Sequence, residues 1–304
     1  MDKVVVLMST YNGEKFVEEQ IESILAQEGV DLELLVRDDG SKDRTIEILQ
    51  FYKDKYSNFD YFKGDNVGPA QSFINLLLVA KDADYYAFAD QDDVWDPMKV
   101  LEAIKCLKTK NNSKPLMYYS NLRIVDKDLN FFRYSHENPH IIANKYEALI
   151  DNKATGCTIV FNNIAADLIK KHPPKRCIMH DAWMFLVCNF FGETIYDTNA
   201  YISYRQHGNN VIGTYLRKKK LGDYIKKIKR LFDKNNQPRF FNAVEFYECY
   251  KDLLDSESLE EVQKIVYYKT SIKNRLRLLF DKKIKAHPFS LNLRYKILII
   301  FGVI

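Results

Sequence analysis

Asp84-Tyr85-Tyr86-Ala87-Phe88-Ala89-Asp90-Gln91-Asp92-Asp93-Val94-Trp95 opens as a short apolar run and ends in three carboxylates within four residues. An apolar run of that length bounded by acids predicts a buried strand that stops at a site. Carboxylates this close repel one another, and burying them is costly unless something positive compensates. A hard divalent cation, Mg2+ or Mn2+, suits oxygen ligands and can carry phosphate oxygens on its other side. The alternative is a solvated acidic turn that opens the next helix, since Asp96 and Pro97 are good helix-opening residues. The three acids alone do not decide between the two.

Upstream, strands and helices alternate. Val4 to Met8 is a continuous apolar run, the mark of a buried parallel strand, and it stops at Ser9-Thr10-Tyr11-Asn12-Gly13. Phe16, Val17, Ile21, Ile24 and Leu25 recur at helical spacing, and Gln27-Glu28-Gly29 closes that helix. Leu32 to Val36 predicts a second buried strand, ending at Arg37-Asp38-Asp39-Gly40-Ser41. Thr45 to Tyr56 predicts a helix, Phe59 to Phe62 a third strand and Ser72 to Ala80 another helix, with Lys63-Gly64-Asp65-Asn66-Val67-Gly68-Pro69 between. Strand–helix alternation with short links implies a doubly wound, mostly parallel sheet. Ligands in such sheets collect at the carboxyl ends of the strands. Three strand ends here carry polar clusters, which is a stronger signal than any one of them. There is no GxGxxG and no GxxxxGK[ST], so an ordinary dinucleotide fold and a P-loop nucleotidase are disfavoured.

A chain of 304 residues, 46% hydrophobic, has room for one large domain or a domain with an extension. The five cysteines are scattered, odd in number and without a CxxC, as expected of reduced thiols in a cytoplasmic protein without structural zinc. The amino terminus is too short and too acidic for a signal peptide, and no stretch reaches the ~18 apolar residues of a membrane-spanning helix. Charge is uneven. From Tyr215 onward there are 21 Lys and Arg against 10 Asp and Glu, while the first 214 residues hold 24 against 31. That asymmetry predicts two zones, residues 1–214 and 215–304.

The strand-end motifs resemble the family-two glycosyltransferases of the GT-A fold. Ser9-Thr10-Tyr11-Asn12-Gly13, Arg37-Asp38-Asp39-Gly40-Ser41-x-Asp43 and Asp90-Gln91-Asp92-Asp93-x-Trp95 fit in order and spacing. His180-Asp181-x-Trp183 and Tyr204-Arg205-Gln206-His207-Gly208-x-Asn210-Val211 are similar to the bacterial rhamnosyltransferase-like subgroup of capsule and cell-wall polysaccharide assembly. The resemblance spans residues 1–214. It implies a nucleotide-sugar donor, dTDP- or UDP-linked, and a divalent cation held by a DxD element. Tyr11 is then expected to flank the pyrimidine base and Asp39 to accept from its N–H. Ser9 or Thr10 is expected to contact base or ribose, with Asn66 and Gly68 lining the same pocket. The resemblance makes Asp92 the main metal ligand, with Asp90 on the ribose or the metal's waters and His207 as a further metal or diphosphate contact. Whether Asp93 ligates or supports stays open.

Sugar transfer to a hydroxyl with inversion is a single displacement, needing one carboxylate to take the acceptor proton and a cation at the leaving diphosphate. Asp181 is the candidate base, set among Met179, Ala182, Trp183, Met184 and Phe185. The residues alone favour a helix N-cap before Ala182 to Phe191; the resemblance favours the base. His180 is either a proton shuttle or a structural donor, and Arg205 either holds phosphate oxygens or pairs with an acid. Gly156, before the apolar run Thr158 to Phe161, either lets the acceptor approach the backbone or opens a strand. Trp183 is preferred over Trp95 for stacking on a sugar at the acceptor site.

From Tyr215 the pattern changes. Leu216, Leu221, Tyr224, Ile225, Ile228, Leu231 and Phe232 alternate with Arg217-Lys218-Lys219-Lys220 and Lys226-Lys227-x-Lys229-Arg230, the pattern of a basic amphipathic helix. Arg275, Arg277, Lys282, Lys283, Lys285, Arg294 and Lys296 repeat the theme. Peripheral contact with an anionic inner leaflet ranks above plain packing, and nucleic acid ranks last for want of a recognition motif. The expectation is therefore a GT-A α/β enzyme with a basic helical extension. It moves a sugar, L-rhamnose first, to a hydroxyl of a glycan or lipid-linked glycan. The alternatives are a UDP-hexose donor, a nucleotidyltransferase and a non-catalytic sugar-nucleotide-binding scaffold.

Overall fold

The apolar run Val4–Met8 lies at the centre of strand β1 (Lys3–Thr10) and is wholly buried. A computed structural model of the chain describes residues 1–135, 144–207, 233 and 237–304. Helix α1 (Val17–Leu25), strand β2 (Asp31–Asp38), helix α2 (Thr45–Lys55), strand β3 (Phe59–Lys63), helix α3 (Pro69–Val79) and strand β4 (Tyr85–Ala89) follow in strict alternation. Next come β5 (Val94–Trp95), α4 (Lys99–Lys108), β6 (Leu116–Val125), β7 (Phe131–Tyr134), β8 (Val160–Asn162), α5 (Asn163–Lys171), α6 (His180–Phe191) and the long β9 (Glu193–Arg205). Four helices complete the described chain: α7 (Pro238–Tyr250), α8 (Ser256–Val266), α9 (Ile272–Leu279) and α10 (Phe289–Phe301).

The strands form one mixed sheet in the order β3-β2-β1-β4-β8-β6-β9-β5, with β7 on β6. Its β3-β2-β1-β4 half is parallel, as alternation with helices requires. Register matters for the site. Thr10 lies opposite Asp38, and Met8 opposite Ala89, so the polar clusters after β1, β2 and β4 leave the sheet along one edge. In the other half β8 runs antiparallel to β4 and β6, while β6 and β9 are parallel. Beneath the sheet, Val17, Ile21 and Ile24 of α1 and Val100, Ile104 and Leu107 of α4 close the core.

Two compact units divide the chain. One is built from Met1–Pro139, Ala154–Lys171 and Met179–Leu216; the other from His140–Lys153, His172–Ile178 and Arg217–Ile304. The sheet belongs to the first. The second has its own core, with Phe246, Tyr250, Val262, Ile265, Leu278 and Ile299 fully buried. Asp255 caps α8 by accepting from Ser258 N at 2.7 Å, and Ser271 caps α9 by accepting from Asn274 N at 3.1 Å.

Three local expectations shift. Helix α3 begins at Pro69, three residues before Ser72, because proline is well placed in a first helical turn. Residues Gly156–Thr158 form a 3-10 turn, and the strand starts only at Val160. Helix α6 begins at His180, so Met179 is its N-cap and Asp181 stands inside the first turn. The expected basic helix over Leu216 to Phe232, and Gly208, Asn210 and Val211, lie outside the described residues. Among the described residues no helix is long and apolar enough to cross a membrane.

Candidate functional site

Two loops at the sheet edge are tied to each other before any ligand is considered. Asp38 ends β2 and is buried. It accepts from Thr10 Oγ1 at 3.2 Å and from the backbone of Gly40 and Ser41 at 3.1 and 2.9 Å. Asn12, at a left-handed φ of 50°, receives Lys42 N on its side chain at 2.9 Å and gives its own N–H to Ser41 Oγ at 2.8 Å. Asparagine tolerates that backbone better than most residues.

Asp39 is also buried, and most of its carboxylate is in use. It accepts from Val67 N at 3.0 Å and Gly68 N at 2.9 Å and is ion-paired with Arg37. Gly68 has φ 80°, a backbone that favours glycine, and this turn aims its N–H at Asp39. Arg37 also donates to Ser72 Oγ at 3.0 Å and to Asp65 O at 2.9 Å, while Ser72 Oγ lies 2.6 Å from Ser9 Oγ. Ser9, Asp39 and Gly68 therefore share one network, organised by an arginine that the sequence reading passed over. Asn66 is exposed in the loop before Gly68, and Tyr11 presents its ring to solvent.

Gln91 joins this edge to the acidic loop. Its amide accepts from Tyr11 N at 2.9 Å and donates to Tyr11 O at 3.1 Å. Asp90 is partly buried, and its pKa is pushed up to about 7 by burial first, then by the charges of Asp92 and Asp181. That dependence places Asp181 in electrostatic reach of Asp90. Asp92 Oδ2 lies 2.6 Å from His207 Nε2, and the His207 ring packs 5.0 Å from Phe16.

Asp93 faces the other way. It is fully buried and accepts from Arg205 N at 3.1 Å. Burial pushes the Asp93 carboxyl and the Cys157 thiol well up. Ligand atoms of Asp90, Asp93 and Cys157 lie within 4.8 Å of one another. A buried, protonated thiol is a poor partner for a hard cation, so Asp93 has the geometry of a support behind the loop. Lys99, buried beneath it with Nζ 3.5 Å from the Trp95 ring centroid, has its pKa pushed down to about 7 by burial. Burial and the charge of Asp92 disfavour the ionised form of Asp90, a cost that a bound cation would relieve. Oxygen donors in that state fit Mg2+ or Mn2+.

Several expected roles change. Arg205 is not free for phosphate. Its Nε donates to Asp92 O at 2.9 Å, Nη1 to Lys127 O at 2.6 Å, and Nη2 pairs with Glu19. It braces the acidic loop. His180 is buried, stacked 3.8 Å from Phe73 and edge-on to Phe88 at 4.7 Å. Burial pulls its pKa down to about 3, so it packs as a neutral ring and does not shuttle protons. Gly156 is buried too, and a Cβ there would meet His180 Nε2 at 2.6 Å. The imidazole occupies the space that one of the two readings of Gly156 left for an acceptor. Trp183 is completely buried, which leaves no indole face for a sugar, and Trp95 is core as well. Asp181 is buried as well, at 6% exposure, in the first turn of α6.

A family model, Glycosyl transferase family 2, matches residues 5–165. The dTDP-rhamnosyl transferase RfbG of Shigella flexneri is 29% identical over 224 residues, covering 68% of this chain and 73% of that protein. An uncharacterized glycosyltransferase of Rickettsia typhi is 25% identical over 217 residues, 70% of this chain and 67% of the relative. Among solved structures, S. aureus TarS 1-349 in complex with UDP-GlcNAc matches 92% of this chain and 77% of its own, with a TM-score of 0.57 at 16% identity. The mannosyltransferase PcManGT of Pyrobaculum calidifontis, in complex with GDP-Man and Mn2+, covers 99% of this chain and 84% of its own, with a TM-score of 0.52 at 15% identity. At those identities the likeness is one of fold, the GT-A fold.

Proposed function

The chain belongs to glycosyl transferase family 2, and from that premise we propose an inverting, metal-dependent transfer of L-rhamnose from a dTDP-linked donor to a glycan hydroxyl. The acceptor in this reading is a growing, lipid-linked polysaccharide of the capsule or cell wall, met at the inner face of the cell membrane. In this reading residues 1–214 carry the chemistry and residues 215–304 form a basic helical extension. The observation that carries the reading is the meeting of Tyr11, Asp39, Asp90 and Asp92 on one sheet edge, with Asp181 close enough to raise the Asp90 pKa. Rhamnose and dTDP rest on the similarity to RfbG.

In this account Tyr11 flanks the base and the Asp39 network shapes its pocket. Asp92, seated against His207, and Asp90 would hold Mg2+ or Mn2+. When bound, that cation would offset the charge of the leaving diphosphate. Asp181 takes the acceptor proton as the acceptor oxygen bonds to the anomeric carbon. The bond from that carbon to the diphosphate oxygen breaks in the same step, and dTDP leaves. One displacement inverts the anomeric centre. Incubation with dTDP-L-rhamnose and, separately, UDP-hexoses tests the donor: release of dTDP but not UDP, dependent on Asp181, supports the reading. Turnover of UDP-hexoses alone would replace it.

A further inference from the structure

Helix α10 is apolar on both sides. Tyr295, Leu298 and Ile299 are buried on one side. Phe289, Leu293, Ile297, Ile300 and Phe301, spaced at i, i+4, i+8, i+11 and i+12, make a stripe on the other, exposed to 77% at Phe289 and 61% at Phe301. A helix that is hydrophobic all round is normally buried all round. Helix α9 repeats the arrangement. Leu278 faces inward, while Ile272, Leu276 and, just past the helix, Phe280 stand out at i, i+4 and i+8. Arg275 Nη1 donates to Ile300 O at 3.4 Å, which sets the carboxyl end of α10 beside the turn bearing Ile272 and Leu276. Exposed apolar surface grouped in this way marks a contact site.

Charge selects the occupant. From Thr270 to Ile304 there are eight Lys and Arg and one acid, Asp281. Arg277 pairs with Glu260 and Lys283 with Glu257. Lys273, Lys282, Lys285 and Lys296 make no ion pair among the described residues. By helical position, Lys273 and Lys296 flank the two apolar stripes. A second copy meeting this face about a twofold axis would set lysine against lysine. An anionic surface complements it. At 13 residues, α10 is too short to span a bilayer and long enough to lie in its interface.

We propose that α9 and α10 dock in the plane of an anionic bilayer leaflet. The stripe led by Phe289, Phe301 and Ile272 enters the headgroup boundary, and the unpaired lysines meet lipid phosphates. The inference goes beyond the transfer reaction and does not depend on it.

Flotation of the full chain with vesicles of phosphatidylcholine alone, and of phosphatidylcholine with phosphatidylglycerol, tests it. The chain is expected to float with the phosphatidylglycerol vesicles. Phe289→Ser with Phe301→Ser should cut the bound fraction at least about tenfold, as the loss of two buried aromatic side chains implies. Lys273→Glu with Lys296→Glu should remove the preference for the anionic vesicles. Both variants should keep the parent unfolding temperature and dTDP affinity. Absence of flotation, flotation indifferent to the serine substitutions, or equal binding to both vesicles would overturn the proposal. So would self-association in solution that the serine variant disperses without any vesicle binding. Failure of dTDP binding in the parent chain would strike the reaction and leave this test intact.

Discussion

Arg205 reaches back 113 residues to donate from Nε to the Asp92 carbonyl at 2.9 Å. Its backbone N–H meets Asp93, its guanidinium pairs with Glu19 and it stacks 4.6 Å over the Phe16 ring. A planar fork serving several acceptors holds the acidic loop in shape. Arg205→Met should lower stability by at least about 2 kcal/mol, since buried partners of a charged donor are left unsatisfied. Arg205→Lys should recover only part of that, because a lysine cannot reproduce the fork. Urea denaturation midpoints measure both.

Gly156 and His180 form a steric pair. A methyl group at 156 overlaps the imidazole, so Gly156→Ala should cost ~1–3 kcal/mol through forced repacking. His180→Ala should relieve it, giving strong non-additivity in a double-mutant cycle. Simple additivity in that cycle would show that the overlap is relaxed elsewhere.

His180 also makes stability depend on pH. Its folded pKa, about 3, lies below the ordinary value of 6.5. The unfolded chain therefore binds the extra proton between those values, and stability falls as pH drops from about 6.5. The full effect at low pH is on the order of a few kcal/mol. His180→Leu should flatten that part of the stability curve between pH 6.5 and 4, as followed by thermal unfolding across buffers.

Much of the first half of the chain was legible because parallel strands buried on both faces give unbroken apolar runs. The alternation Val4–Met8, Leu32–Val36 and Tyr85–Ala89 also places three strand ends on one edge by topology alone. What stayed hidden was side-chain orientation and long-range pairing. Trp183, one turn into a helix, shows nothing in sequence of its complete burial. Gly156 was open to two readings, space for an acceptor or the opening of a strand, yet it lies in a 3-10 turn and the space beside it is taken by a ring 24 positions later in the sequence. Arg37, Gln91 and Lys99 are ordinary polar letters whose roles come from neighbours far along the chain. The basic residues of α9 and α10 were visible, but the apolar stripes beside them, and which face of each helix is covered, are properties of packing.

Asp90 ties metal affinity to pH. Its pKa near 7 means that below pH 7 a proton competes with the cation, so Mn2+ affinity should fall by up to about tenfold per pH unit. Titrations at pH 6 and 8 should differ in that sense, with proton uptake or release visible as a buffer-dependent binding enthalpy. The same shift means that the metal-free protein loses stability as pH rises from about 4 to 7, because the folded state holds the extra proton there. Saturating Mn2+ should restore stability most at the alkaline end.

Asp181→Asn removes the proposed base while keeping its size and a polar group in the first turn of α6. Turnover should drop by ~10²–10⁴-fold. Donor affinity should stay within about threefold, since the donor pocket is built on other strands. A parallel collapse of donor binding would assign Asp181 to the pocket rather than to proton transfer.

Calorimetric titration of dTDP, with and without Mn2+, into the parent chain and into Asp92→Ala tests the central claim most directly. The account predicts binding that tightens with Mn2+ in the parent and loses its metal dependence in the variant. Binding of dTDP that is indifferent to Mn2+ in both, or no binding by the folded parent, would contradict it.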